Sequence, residues 1–195
     1  MKLIIINRKR LGVTVIIIGL MFVLLGLEKK FDAGLKFTAL IQNNISSLQK
    51  YEALDKKLSY KLPVEWGTEQ RSFSGGEIIY HNDFVAKDSK IHGFVEAWNL
   101  NKDLKMFLEE SKKISSEQNL YKEYNISPII INDRDGYLVS YTIVTPSNES
   151  IKGYEYFLRN KDKFFRFSFF VRENNFKENM PTIFKTIVQT LNYKE

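Results

Sequence analysis

At 195 residues, with 29 Lys and Arg against 23 Asp and Glu, the chain carries a net +6 that invites a nucleic-acid or anionic-lipid reading. The charge is not spread evenly: residues 1–30 hold six bases and one acid and the remainder 23 bases and 22 acids, so the excess is N-terminal and implies no phosphate-binding surface. The absence of cysteine excludes a disulfide framework, a thiolate nucleophile, a cysteine-based metal site and a lipidated anchor.

Leu11 to Leu27 is an uncharged, largely aliphatic run between Arg8-Lys9-Arg10 and Glu28-Lys29-Lys30. As a helix it reaches roughly 25 Å, slightly short of a hydrocarbon core of about 30 Å, and flanking Arg and Lys can snorkel to make up the difference. The residues after it offer no small-x-small cleavage site, so it reads as an uncleaved signal anchor; a cleaved signal peptide is the rival reading. Lys2, Arg8, Lys9 and Arg10 precede any acid, which places the N-terminus in the cytoplasm and the rest outside. The expected organisation is a cytoplasmic N-terminus over 1–10, a transmembrane signal anchor over 11–27, a polar and partly helical stalk over 28–57, and an extracytoplasmic domain over 58–195. Residue usage rich in Ile, Lys, Asn and Phe is that of an AT-rich bacterial genome.

The domain opens with an alternating strand from Leu58 to Trp66, followed by strand patterns over 77–86 and 91–99. A helix is expected over 102–117, with Asn101 as N-cap and Leu104, Phe107 and Leu108 on its apolar face. A strand around 122–132 leads through the turn residues Asp133-Arg134-Asp135-Gly136 into alternating runs at 137–145, 151–159 and 164–172, the pattern of an antiparallel meander. In the last run Phe165, Phe167, Phe169 and Val171 share one face, with Arg166, Ser168 and Arg172 on the other. A final amphipathic helix over 179–192, with Pro181 in its first turn, closes the chain. One curved antiparallel sheet with helices packed against its faces buries all of these stripes: an α+β, αβα sandwich.

The opening Leu58-Ser-Tyr-Lys-Leu-Pro-Val-Glu-Trp66, the meander runs Gly136 to Val144, Lys152 to Leu158 and Phe164 to Val171, and the terminal helix together resemble the PsbP-like (Mog1/PsbP/DcrB-type) fold family over roughly residues 58–192. The resemblance implies a compact sandwich, usually non-enzymatic, that works by binding a protein partner or assisting an assembly. This chain departs from the bacterial lipoproteins of that family in carrying an apolar span where they carry a lipidated cysteine. No functional residue set of the family maps onto it, and fold alone does not deliver function.

The search for chemistry returns little. His81 and His92 are the two histidines, and with Asp83 or Asp88 they fall short of the three or four ligands a transition metal needs. Asp133 to Gly136 lacks the closing glutamate of a calcium loop, no Gly-x-Ser-x-Gly elbow or phosphate-binding glycine loop occurs, and Glu109-Glu110 lies on the polar side of a helix. Expected catalytic residues, metal ligands and cofactors are therefore none. Among 15 Phe, 10 Tyr and 2 Trp, the residues Tyr137, Tyr141, Tyr154 and Tyr156 are candidates for an amphipathic partner-binding face; the other reading is that they fill both sides of a helix-covered sheet. The expected function is a non-catalytic, membrane-tethered extracytoplasmic domain that binds an envelope protein or assists a membrane complex, with the lipid bilayer as its other partner. The alternative is a small-ligand or metal-binding envelope receptor or sensor.

Overall fold

A computed structural model describes residues 17, 18, 20–22, 33–43, 45–88, 90–99 and 102–194. The expected anchor therefore lies largely outside the described residues, and among those described no helix is long and apolar enough to cross a membrane. A helix over 33–42 (α1) leads into ten strands, β1 (Leu48–Ala53), β2 (Leu58–Pro63), β3 (Gly67–Arg71), β4 (Ile78–Val85), β5 (Ile91–Asn99), β6 (Leu120–Ile131), β7 (Arg134–Val144), β8 (Ser150–Asn160), β9 (Lys163–Arg172) and β10 (Asn192–Tyr193). Between them stand α2 (Leu104–Gln118) and α3 (Met180–Val188).

Seven strands form an antiparallel sheet in the order β3-β4-β5-β9-β8-β7-β6, and three more form a small sheet β1-β2-β10. Period-two alternation decides the two faces of the large sheet. Phe165, Phe167, Phe169 and Val171 are fully buried on one face, as their spacing requires, together with Val95, Ala97 and Leu158. Against them lie α3, through Ile183, Phe184 and Ile187, and β2, through Leu58, Tyr60 and Leu62. The Phe169 and Phe184 rings stack 4.3 Å apart at the centre of this core. The layer on this side is thus a helix beside a small sheet, not helices alone.

The other face is covered only in part, and the topology explains why. The chain leaves β5 in the middle of the sheet and reaches β6 at its far edge, so α2 crosses β9, β8 and β7 on the way. Leu104 and Leu108 of α2 pack there on Val139, Phe157 and Phe164. Apart from the Trp98 end of β5, which Phe107 of α2 reaches, no described helix or strand lies over the β3-β4-β5 half.

Several expectations are corrected in detail. Asp103, not Asn101, caps α2: its carboxylate accepts from Lys105 N at 2.9 Å and Met106 N at 3.2 Å, and Asn101 lies outside the described residues. The β6–β7 turn is the two-residue Asn132-Asp133, both left-handed at φ 50° and 60°, which is the twist a tight hairpin demands. Gly136 lies within β7, where a Cβ would sit 2.1 Å from the Phe157 carbonyl oxygen. α3 ends at Val188, shorter than its apolar stripe suggests, because Thr190 and Leu191 turn the chain into β10. The expected stalk is not separate from the domain. Ala39 of α1 and Ile45 are buried in the main core, and β1 pairs along its whole length with β2, Leu48 opposite Pro63 through to Ala53 opposite Leu58.

Candidate functional site

The half-covered face carries a row of polar side chains running across strands. Register places His81 of β4 opposite Glu96 of β5, Glu96 opposite Arg166 of β9, and Arg166 diagonal to Glu155 of β8, two residues from the directly opposed pair. His81 Nδ1 lies 2.7 Å from Glu96 Oε1 and its Nε2 3.0 Å from Asp83 Oδ1. Arg71 of the edge strand β3 holds the other Asp83 oxygen at 2.8 Å. Glu96 Oε2 accepts from Trp98 Nε1 at 2.7 Å and from Arg166 Nη1 at 3.3 Å. Arg166 donates from Nε to Glu155 Oε2 at 2.6 Å, and its Nη2 pairs with the same oxygen. Ser168 Oγ donates to Glu155 Oε2 at 3.0 Å and the Tyr141 hydroxyl to Oε1 at 2.6 Å.

This is a costly place for charge. The Glu96 and Glu155 side chains are 5% and 7% exposed, so each carboxylate needs partners to offset its lost hydration, and each has them. Burial alone would lower the Arg166 pKa, but the charges of Glu155 and Glu96 outweigh it and raise the guanidinium above its ordinary value. The guanidinium also stands over the Phe94 and Phe157 rings, 4.7 and 5.3 Å from their centroids. Burial, then the nearby Glu155 charge, pushes the Tyr141 phenol up from its ordinary value and the Tyr124 phenol to about 12. Both phenols therefore stay protonated, and that of Tyr141 donates to Glu155. The row is built to hold shape, each carboxylate set against a guanidinium; none of its groups stands unpaired as a nucleophile or base.

Two hollows flank the row. One, of about 350 Å³, lies beneath α2 between Trp98, Phe107, Tyr124 and Tyr141, with Glu155 and Arg166 at its floor. The other, an open hollow of about 650 Å³, lies over the uncovered half of the sheet and is lined by Arg71, Asp83, Val85, His92, Phe94 and Phe170. Beside it Phe73, 47% exposed, meets the His81 ring edge-on at 4.9 Å, and Val85 is 42% exposed. Burial and then the Arg172 charge hold the His92 imidazole below its ordinary pKa, so this hollow is aromatic and uncharged at its centre.

The four candidate tyrosines do not form one surface. Tyr137 and Tyr141 lie on the α2 face and Tyr154 and Tyr156 on the opposite face, Tyr156 buried at 3% and Tyr154 stacked on Phe176. Of the four, only Tyr141 belongs to the polar row. Of the two histidines, His81 is buried in that row, and His92 stands apart from it opposite Val85. Among the described residues no group of three or more His, Cys, Asp or Glu could hold a metal ion. Sequence reasoning missed Glu96, Glu155, Arg166 and the edge residue Arg71. For Glu96, Glu155 and Arg166 the one visible signal was a charge inside an apolar strand run, as at Arg166 between Phe165 and Phe167; Arg71, on the exposed strand β3, gave none.

No protein-family model and no curated protein matches the sequence. Solved structures do match. The cyanobacterial PsbP (CyanoP) of Synechocystis sp. PCC 6803 is similar with a TM-score of 0.56 at 14% identity, over 77% of this chain and 94% of that one. A protein from Bacteroides thetaiotaomicron VPI-5482 is similar with a TM-score of 0.52 at 13% identity, over 75% of this chain and 48% of that one. At such identities what is shared is the fold, and the antiparallel sheet with its helices on both faces is accordingly a PsbP-like fold.

Proposed function

We propose that this chain is a non-catalytic extracytoplasmic domain, tethered to a membrane by Leu11–Leu27, that binds another protein of the same envelope. The observation that carries the reading is the uncovered half of the sheet. There Val85, Phe94 and Phe170 line the hollow, with the exposed Phe73 against His81, and the ion-paired Arg71, Glu69 and Asp83 edge it. An apolar centre with a satisfied polar rim is the anatomy of a protein contact, and a sheet half that no described element covers is where a partner adds least strain. The charged row beside it supports a binding role, because its carboxylates are spent on the guanidinium and hydroxyls around them.

A photo-cross-linking residue placed in cells at Phe73 or Val85 tests this, with the same probe at Ile114 on the outer side of α2 as reference. A reproducible membrane-protein adduct from positions 73 and 85 but not from 114 is expected. Accessible, folded protein that yields no adduct at 73 or 85 refutes the docking face.

A further inference from the structure

The inward stripe of α2 runs Leu104, Leu108, Ser111, Ser115. Its first half is an ordinary apolar face, with both leucines buried against the sheet. Its second half puts serine where the same spacing calls for leucine. The sheet does not rise to fill the difference, and the result is the 350 Å³ cavity, at the small end of the range for small-molecule pockets of about 300–1,000 Å³.

The walls are aromatic. Trp98 and Phe107 stand on one side, 6.0 Å apart, and Tyr124 and Tyr141 on the other, stacked at 5.7 Å. The floor is charged but balanced. Glu155 accepts from Tyr141, Ser168 and Arg166, which occupies its oxygens. Arg166 directs Nε and Nη2 to Glu155 and Nη1 to Glu96, which leaves N–H capacity on a side chain 24% exposed. Ser111 Oγ donates to the Phe107 carbonyl at 2.7 Å and keeps its lone pairs free to accept. A charged guest would lose its hydration without gaining a free counter-ion; a flat, uncharged guest with an oxygen acceptor would stack on the walls and meet the spare Arg166 donors.

We infer that the cavity beneath the C-terminal half of α2 binds a small, uncharged, planar ring compound carrying a carbonyl-type oxygen. This goes beyond the docking of a protein on the open half of the sheet and does not depend on it.

Trp98 and Trp66 are the two tryptophans, and Trp66 lies on the opposite face against Phe84. The full chain in nonionic micelles carrying Trp66→Phe therefore reports the cavity through Trp98 fluorescence. Titration with coumarin is expected to quench Trp98 saturably. Benzoate and benzylamine, ring probes of either charge, are expected to bind at least about ten-fold more weakly. Ser111→Leu with Ser115→Leu restores the leucine stripe and is expected to abolish saturable quenching while raising the melting temperature. If that double variant fails to fold, nuclear Overhauser contacts between coumarin and the Trp98 ring in the parent protein decide the matter. Quenching that does not saturate, that persists in a folded filled variant, or that comes without contacts to Trp98 overturns the assignment.

Discussion

Arg166→Met is the sharpest probe of the polar row. The methionine keeps an apolar stem between Phe94 and Phe157 and removes only the guanidinium. Glu155 retains Tyr141 and Ser168 and Glu96 retains His81 and Trp98, but two carboxylates at 7% and 5% exposure lose the cation they share. Removing one partner of a buried pair costs about 3–5 kcal/mol, because the stranded charge stays desolvated. For a domain of this size that is a fall in melting temperature of roughly 6–20 °C, at about 2–4 °C per kcal/mol. Urea unfolding of the full chain in nonionic micelles, followed by tryptophan fluorescence, measures it. A cost below about 1 kcal/mol, the worth of an exposed ion pair, would show that water reaches the row freely and would refute the argument from burial.

Further outcomes follow from the geometry. Phe184→Ala removes the ring stacked at 4.3 Å on Phe169 in a fully buried site and should cost about 3–5 kcal/mol by the same unfolding assay. Gly93→Ala places a Cβ 1.8 Å from the Ser168 carbonyl oxygen and should destabilise by about 1–3 kcal/mol or more, while Gly34→Ala, with nothing within 4 Å, should be neutral or stabilising. Tyr60, Tyr141 and Tyr156 have phenol pKa values raised chiefly by burial above their ordinary value. A folded pKa above the unfolded one gives stability that is complete below the unfolded value, about 10, and is lost as pH rises beyond it. Absorbance titration should therefore leave these phenols un-ionised in the folded protein above pH 10, with their ionisation arriving together with unfolding, and Tyr141→Phe should flatten part of the alkaline loss.

The elements most legible in sequence were those whose neighbours in space are also neighbours in the chain. β7, β8 and β9 follow one another in the chain and in the sheet, and Phe165 to Val171 fell on the face their period assigns. β3 was missed because Gly67–Arg71 is polar and fully exposed; as the sheet's edge it has no buried stripe to advertise it. β1 was taken for stalk because its alternation is weak, and its pairing with β2 depends on long-range register. The polar row was illegible for a different reason. Its members at 71, 81, 96, 155 and 166 come from five strands, and only strand order brings them together. The serine half of the α2 stripe was visible as residues, but its meaning required knowing that α2 crosses the sheet.

The placement of β1 has a mechanical consequence. It meets β2 antiparallel, with Leu48 and Pro63 at the open end of the hairpin and Ala53 and Leu58 beside the turn. A pull arriving from the N-terminal side must first draw Ala39 and Ile45 out of the main core, and only then loads the strand's hydrogen bonds one after another, as a zipper, not all at once in shear. β1 would then peel and release about 20 Å of slack, at roughly 3.3 Å per residue, before the strands of the seven-stranded sheet parted. The strand nearest the N-terminal side would then act as a shock absorber, yielding and re-zipping while the aromatic core beyond it stays intact.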